Sequence, residues 1–216
     1  MDKPLRKSNN YIANYQQTIN FLTQDQLNNL IATFQSWYDD PNISDTKRRI
    51  RGRYWLVFLT LRFTGARISE VININYEDID FRNAEIKVIT LKRHNPKKKG
   101  QYRIIPVPSN LTGEIASYIA EYPYMKDKLF KIDRSNFNKL FKELCIQSNI
   151  PSDLAHPHIL RHTRAIELLR AGVPVTIVQD LLGHSALTTT AMYFLFYFLV
   201  QTAWTLTTTL KRLGSF

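Results

Sequence analysis

Between His156 and Phe194 the sequence reads HPHILRHTRAIELLRAGVPVTIVQDLLGHSALTTTAMYF, and several of its side chains can hold an anion or move a proton. His158 and Arg161 stand three residues apart in a helical apolar pattern. On a helix they share a face and point at one target, while Ile159 and Leu160 turn to the core. Gly183 suits the left-handed conformation that ends a helix, which places His184 on the turn beyond it. Tyr193 follows nine residues later. Far upstream, in TGARISE, Gly65 permits a tight turn. Arg67 then emerges at a helix start, where free backbone N–H groups also favour anions. Taken singly, each position has an ordinary reading: a His and an Arg on a solvated face, a surface arginine, a structural histidine. His162 reads as a packing or hydrogen-bonding histidine and His156 as a loop residue.

These side chains need a scaffold. FLTQDQLNNLIATF opens a helix with Thr23 as N-cap, Gln26 completing a capping box, and Leu22 with Leu27 as a hydrophobic staple. Leu27, Leu30, Ile31 and Phe34 continue it at helical spacing. PNISD interrupts the chain. A basic cluster, Lys47, Arg48, Arg49, Arg51 and Arg53, then leads into an apolar helix around residues 55–63 that ends near Gly65, and a short helix begins near Arg67. AEIKVITL and YRIIPVP are rich in β-branched residues and read as two strands, with the basic KRHNPKKKG as their hairpin loop. Further helices are expected at about 110–121, 135–148 with Ser135 as cap, 157–171, 174–182, and around Tyr193. The fold class is therefore mainly α with a small antiparallel β-sheet (α+β).

A chain of 216 residues can bury one good core, and 44% hydrophobic residues is a globular composition, not a disordered one. The net charge of +11 favours an anionic partner, nucleic acid being the commonest and an anionic membrane surface the alternative. The single cysteine, Cys145, cannot form an internal disulfide and reads as core. With no secretory signal at the start, a reducing, cytoplasmic compartment is expected. Residues 185–210 carry no charged side chain, a length that raises a transmembrane helix. Threonines run through this stretch, so burial against protein is expected instead of a membrane span.

In order, the chain offers Arg67, a hairpin lysine, His158-x-x-Arg161, Gly183-His184 and Tyr193. On the motifs TGARISE, VITLKRHNPKKKGQYRIIPVP, PHILRHTRAIELLRAGV and LLGHSALTTTAMY, it resembles the tyrosine recombinase (phage integrase) family over roughly residues 22–195. The resemblance implies the catalytic fold of DNA breaking-rejoining enzymes, with double-stranded DNA as partner. It implies attack of a tyrosine on a phosphodiester, leaving a 3′-phosphotyrosyl link and a free 5′-hydroxyl, with no metal and no cofactor. Tyr193 is then the nucleophile, Arg67 and Arg161 the donors to the non-bridging oxygens, and His158 the candidate base. Lys92 is the acid for the leaving 5′-oxygen, His184 hydrogen-bonds the scissile phosphate, and Glu70 orients the site. The residue types suit these tasks. Guanidiniums give planar paired donors where charge develops, and a phenol of pKa near ~10 needs a base or a positive field. A lysine can lose its proton when desolvated. The tyrosyl ester conserves the bond energy, so another strand's 5′-hydroxyl can attack it and rejoin without hydrolysis.

Arg93, Lys97, Lys98 and Lys99 share the hairpin with Lys92 and, with Lys47, Arg48, Arg49, Arg51 and Arg53, are candidates for DNA phosphate contact; each also fits a solvated face. Tyr197 lies one turn beyond Tyr193, but the spacing from His184 favours Tyr193. Members of the family usually carry an N-terminal core-binding domain. This sequence reads as a loose arm, residues 1–20, followed by a catalytic domain over 21–216 without that domain: either a catalytic fragment or a naturally single-domain member, as fimbrial invertases of the family are. The apolar tail, residues 194–216, is expected to dock between protomers and to support a tetramer on paired DNA sites. Two other functions stay open: a type IB topoisomerase, which resembles the family in its Arg, Lys, Arg, His and Tyr, and a DNA-binding remnant that cuts nothing.

Overall fold

The computed structural model describes residues 20–90 and 101–183. In chain order its elements are α1 (Gln24–Tyr38), α2 (Asp45–Thr64), α3 (Ile68–Val71), β1 (Ile79–Asp80), β2 (Glu85–Thr90), β3 (Gln101–Pro106), α4 (Ser109–Glu121), α5 (Arg134–Gln147), α6 (His158–Arg170) and α7 (Val175–Leu182). Short 3-10 turns occupy Tyr76–Asp78 and Pro123–Lys128. The α1 start is the expected capping box: Thr23 Oγ1 accepts from the Gln26 N–H, and Gln26 Oε1 accepts from the Thr23 N–H.

Helix α2 is the axis of the core. It buries Trp55 through Leu59 and Leu61. Phe34 of α1 stacks on Phe58 with ring centroids 4.0 Å apart and planes 8° from parallel, and Phe141 of α5 flanks both rings, 6.1 Å from Phe34 and 6.5 Å from Phe58. Truncating a ring so enclosed costs about 3–5 kcal/mol, so this aromatic column fixes how α1, α2 and α5 sit together. Cys145 is fully buried beside it, and burial pushes its thiol pKa up to about 12.

Two helices begin earlier than the sequence reading placed them. Ser44 caps α2, its Oγ accepting from the Lys47 N–H at 3.4 Å. The basic cluster therefore lies inside the first half of α2 rather than ahead of it. Cations near a helix N-terminus oppose the macrodipole. Four of the guanidiniums reach outward to acceptors. Arg48 Nη2 donates to the Asp40 carbonyl (3.5 Å), Arg49 Nη1 to Tyr124 Oη (2.8 Å) and Arg53 Nη1 to the Lys131 carbonyl (2.9 Å). Arg51 Nη1 donates to the Trp37 carbonyl and lies 3.4 Å from Asp40 Oδ2. In α5 the cap is Asp133, not Ser135: Asp133 Oδ1 accepts from the Asn136 N–H at 2.7 Å. A carboxylate gains from the helix dipole as well as from the hydrogen bond, which a hydroxyl does not.

The sheet is three-stranded and antiparallel in the order β1-β2-β3. Ile86 pairs with Ile105 and Val88 with Arg103, and Ile86, Val88 and Ile105 are buried. Strand β1 was not foreseen; two residues are too few to show an alternation. Helices α6 and α7 form a hairpin around a second apolar cluster of Ala165, Ile166, Leu169, Val178 and Leu182. A bidentate pair joins this hairpin to the core: Arg62 Nη1 and Nη2 of α2 donate to Glu167 Oε2 and Oε1 of α6, both at 2.7 Å. Among the described residues no helix is long and apolar enough to cross a membrane, and residues 185–210 lie outside them.

Candidate active site

The site is built on the turn that ends α2. Gly65 closes the helix at φ +61°, its N–H donating to the Leu61 carbonyl at 3.0 Å. A Cβ here would stand 2.6 Å from Leu182 Cδ2 and 3.3 Å from Arg164 Cβ. Both the left-handed backbone and the close approach of α6 and α7 therefore require glycine. From α6, Arg161 Nη1 donates to the Gly65 carbonyl at 2.8 Å, and the Arg161 residue is 2% exposed. The ordinary reading of Arg161 as a solvated surface residue is thus excluded. Its helix neighbours Ile159 and Leu160 are fully buried, as the spacing predicted.

Arg67 follows as the residue entering α3, with its side chain 40% exposed. Glu70 beneath it is 1% exposed. Glu70 Oε2 accepts from the Arg67 N–H and Oε1 accepts from Arg67 Nη1, each at 3.0 Å. A buried carboxylate needs such partners. Burial alone would raise the Glu70 pKa; the hydrogen bond and charge of Arg103, then those of Arg67, outweigh it and hold the group below its ordinary value. Glu70 is therefore ionised, and it fixes one edge of the Arg67 guanidinium while much of that side chain stays open.

His158 is the first residue of α6. Its ring meets the His162 ring edge-on, centroids 4.6 Å apart. The residue keeps an exposed surface, while its ring is desolvated on the side that faces the protein. This loss of solvent, followed by the positive fields of His162, Arg161, His156 and Arg67, draws its pKa down to about 4. His162 is lowered to about 4 as well, by burial and then by His156 and Arg161. Both rings are neutral near pH 7, the form of His158 that can accept a proton. His156 lies in the loop before α6, as expected.

One residue escaped the sequence reading. Arg103 of β3 spends its guanidinium on three separate segments. Nε donates to the Leu181 carbonyl (2.7 Å), Nη1 to Thr90 Oγ1 (2.9 Å) and Nη2 to Glu70 Oε2 (2.7 Å). Its side chain is 9% exposed. The signal was present: in YRIIPV, residue 103 shares strand parity with the buried Ile105 and Val107, so a charged side chain was due on the inner face.

The structure thus gathers Arg67, Glu70, His158 and Arg161 around one turn. Lys92, Arg93, Lys97, Lys98, Lys99, His184, Tyr193, Tyr197 and residues 194–216 lie outside the described residues. The left-handed Gly183 that precedes His184 is described, with φ +69°. The cluster from Lys47 to Arg53 belongs to the far half of α2: Arg51 and Thr64 are 13 residues apart, roughly 20 Å along a helix. Among the described residues no group of three or more His, Cys, Asp or Glu is placed to hold a metal ion.

The phage integrase family matches residues 20–197, a span that runs through every station of this site. The chain belongs to that family. Among curated relatives it is similar to a tyrosine recombinase of Pseudothermotoga lettingae, 36% identical over 146 residues that cover 65% of this chain and 49% of the relative. It is also similar to tyrosine recombinase XerA of Pyrococcus furiosus, 33% identical over 156 residues, 68% of this chain and 51% of the relative. The chain therefore spans about half the length of the curated relatives it matches. Its fold superposes on the crystal structure of XerA recombinase with a TM-score of 0.62 at 25% identity, covering 81% of this chain and 57% of that one. On the catalytic domain of bacteriophage HP1 integrase the TM-score is 0.54 at 21% identity, covering 82% and 87%. The helical scaffold with its small antiparallel sheet is thus the tyrosine recombinase catalytic fold.

Proposed function

We propose that this integrase-family chain is a site-specific DNA recombinase that cuts and rejoins double-stranded DNA through a 3′-phosphotyrosyl link on Tyr193. The observation that carries this reading is the arginine pair: Arg67 and Arg161 are seated at one glycine turn by Glu70 and by the Gly65 carbonyl. Donors fixed before the reaction stabilise the charge of a pentavalent phosphorus without reorganising, the largest single source of such catalysis. The Tyr193 oxygen forms the new bond to phosphorus as the bond to the 5′-oxygen breaks. The tyrosine proton passes to a base, for which the neutral His158 is suited, and the departing 5′-oxygen takes a proton from Lys92. His184 donates to the scissile phosphate. Residues 21–216 serve as the catalytic domain in this reading, the hairpin cations Arg93 and Lys97 to Lys99 hold flanking phosphates, and residues 194–216 join protomers into a tetramer on paired sites.

Further support comes from the net charge of +11 and from neighbours in fold whose structures contain DNA. These are a XerH recombinase with its difH substrate and the Tn1549 transposon integrase with circular intermediate DNA. The test is a nicked suicide duplex, incubated in chelator and resolved on a denaturing gel. A covalent protein–DNA band is expected from the wild-type chain, and none from Tyr193→Phe, which should still bind the duplex. An adduct that persists in Tyr193→Phe would remove Tyr193 as the nucleophile.

A further inference from the structure

The guanidinium of Arg103 meets three segments that are remote in sequence, and each runs directly into one part of the proposed cleavage site. Through Nη2 it holds Glu70, which in turn holds both the backbone and the side chain of Arg67. Through Nη1 it holds Thr90, where β2 leaves toward Lys92. Through Nε it holds the Leu181 carbonyl at the end of α7, two residues before Gly183. The fit at that end is close, since a Cβ on Gly183 would stand 2.8 Å from Arg103 Nη1 and 3.0 Å from its Cζ. Gly183 thus needs its missing side chain for contact with Arg103 as well as for its left-handed φ.

An arginine used only for charge would not need this geometry. Glu70 could be neutralised by any nearby cation, but three acceptors in different directions need a rigid, planar fork, which a lysine lacks. Nor is Arg103 free to bind a phosphate itself. It is 9% exposed and donates from all three nitrogens to protein, whereas Arg67 is 40% exposed.

We propose that Arg103 is a positioning residue of the cleavage site: one guanidinium sets the spacing of the Arg67 turn, the root of the lysine hairpin and the Gly183 cap. It touches no DNA and acts by placing the groups that do, so this inference rests on the functional reading above. Displacements on the order of 1 Å in such groups slow chemistry by up to about 100-fold while leaving binding nearly intact.

The experiment is a double-mutant cycle with Arg67→Ala, Arg103→Lys and the double variant, each compared with the wild-type chain. Three quantities are measured: the single-turnover rate of adduct formation on saturating suicide duplex, the DNA affinity and the thermal midpoint. Arg103→Lys should slow adduct formation roughly 10- to 100-fold with affinity unchanged within about twofold. Added to Arg67→Ala, it should slow the reaction by clearly less than it slows the wild-type chain, because the share of its effect that runs through Arg67 is already gone while the shares through Thr90 and Leu181 remain. Losses that multiply in the double variant overturn the proposal, as does a slower rate matched by an equal loss of affinity. If Arg103→Lys does not fold, Thr90→Val takes its place in the cycle. It removes the hairpin acceptor alone, so an unchanged rate in the wild-type background, or a slower rate matched by an equal loss of affinity, counts against the proposal. A wild-type chain that forms no adduct overturns the functional reading and this proposal with it. A wild-type adduct with multiplicative losses overturns this proposal alone.

Discussion

Arginines gather at both ends of helix α2, and the two ends hold them differently. In the N-terminal half, Arg48, Arg49, Arg51 and Arg53 lie close together in sequence and reach peripheral partners: backbone carbonyls, a tyrosine hydroxyl and the partly exposed Asp40. At the C-terminal end the arginines come from three different elements, and their partners are a carboxylate 1% exposed and the carbonyl of a left-handed glycine. Charge density in the sequence is highest at the first end. Preorganised charge, which is what a transition state uses, is found at the second. Exposed pairs of the first kind are worth about 0–1 kcal/mol each, whereas removing one partner of a buried pair costs about 3–5 kcal/mol.

This contrast can be broken most sharply at Arg161. Arg161→Ala should lower the single-turnover cleavage rate about 100-fold or more on saturating DNA. It should also lower stability by roughly 1–3 kcal/mol, because the buried Gly65 carbonyl loses its donor. Near-normal cleavage by that variant would erase the distinction between the two ends. Next comes Gly65→Ala. An L side chain at φ +61° costs about 1–2 kcal/mol before its contact with Leu182 is counted. The thermal midpoint should fall and cleavage with it as Arg67 shifts; an unchanged midpoint would contradict the role of the turn.

A smaller effect is expected from pH. The folded-state pKa values of His158 and His162 are about 4, below the ordinary 6.5. Below 6.5 the unfolded chain takes up protons that the folded chain refuses, so on their account stability should fall from about pH 6.5 to about pH 4, and the depressed Glu70 carboxylate carries the fall further beneath. Urea unfolding across that window measures the slope, and His162→Gln should flatten it; a slope unaffected by the substitution would contradict the lowered pKa. The smallest effect belongs to the other end of α2. Arg49→Ala should leave the thermal midpoint almost unchanged. Only if Arg49 touches a phosphate in the complex should the salt dependence of binding weaken by about one unit of slope. Titration of affinity against salt separates the two outcomes.

Much of the site was legible because its determinants are local. Gly65 and Gly183 sit at the left-handed positions that their helix-ending contexts implied, and the capping box at Thr23 formed as written. His158 and Arg161 lie on one helix with Ile159 and Leu160 buried between them. The site residue that was missed depends on distant partners. Arg103 looks like part of a basic hairpin until strand parity turns it inward onto Glu70, 33 residues away. The α2 start was hidden because Ser44 caps a run of charged residues with no apolar periodicity to announce it. Asp133 was passed over for Ser135 because both can cap, and only the α5 register chooses between them.

The most direct measurement of the contrast between the two ends sets Arg67→Ala beside Arg51→Ala on the same saturating suicide duplex, with adduct formation followed in a single turnover. Arg67→Ala is expected to be slower than wild type by about 100-fold or more, and Arg51→Ala to stay within about twofold. Equal rates for the two variants, or a larger loss from Arg51→Ala, would contradict the assignment of the chemistry to the glycine turn.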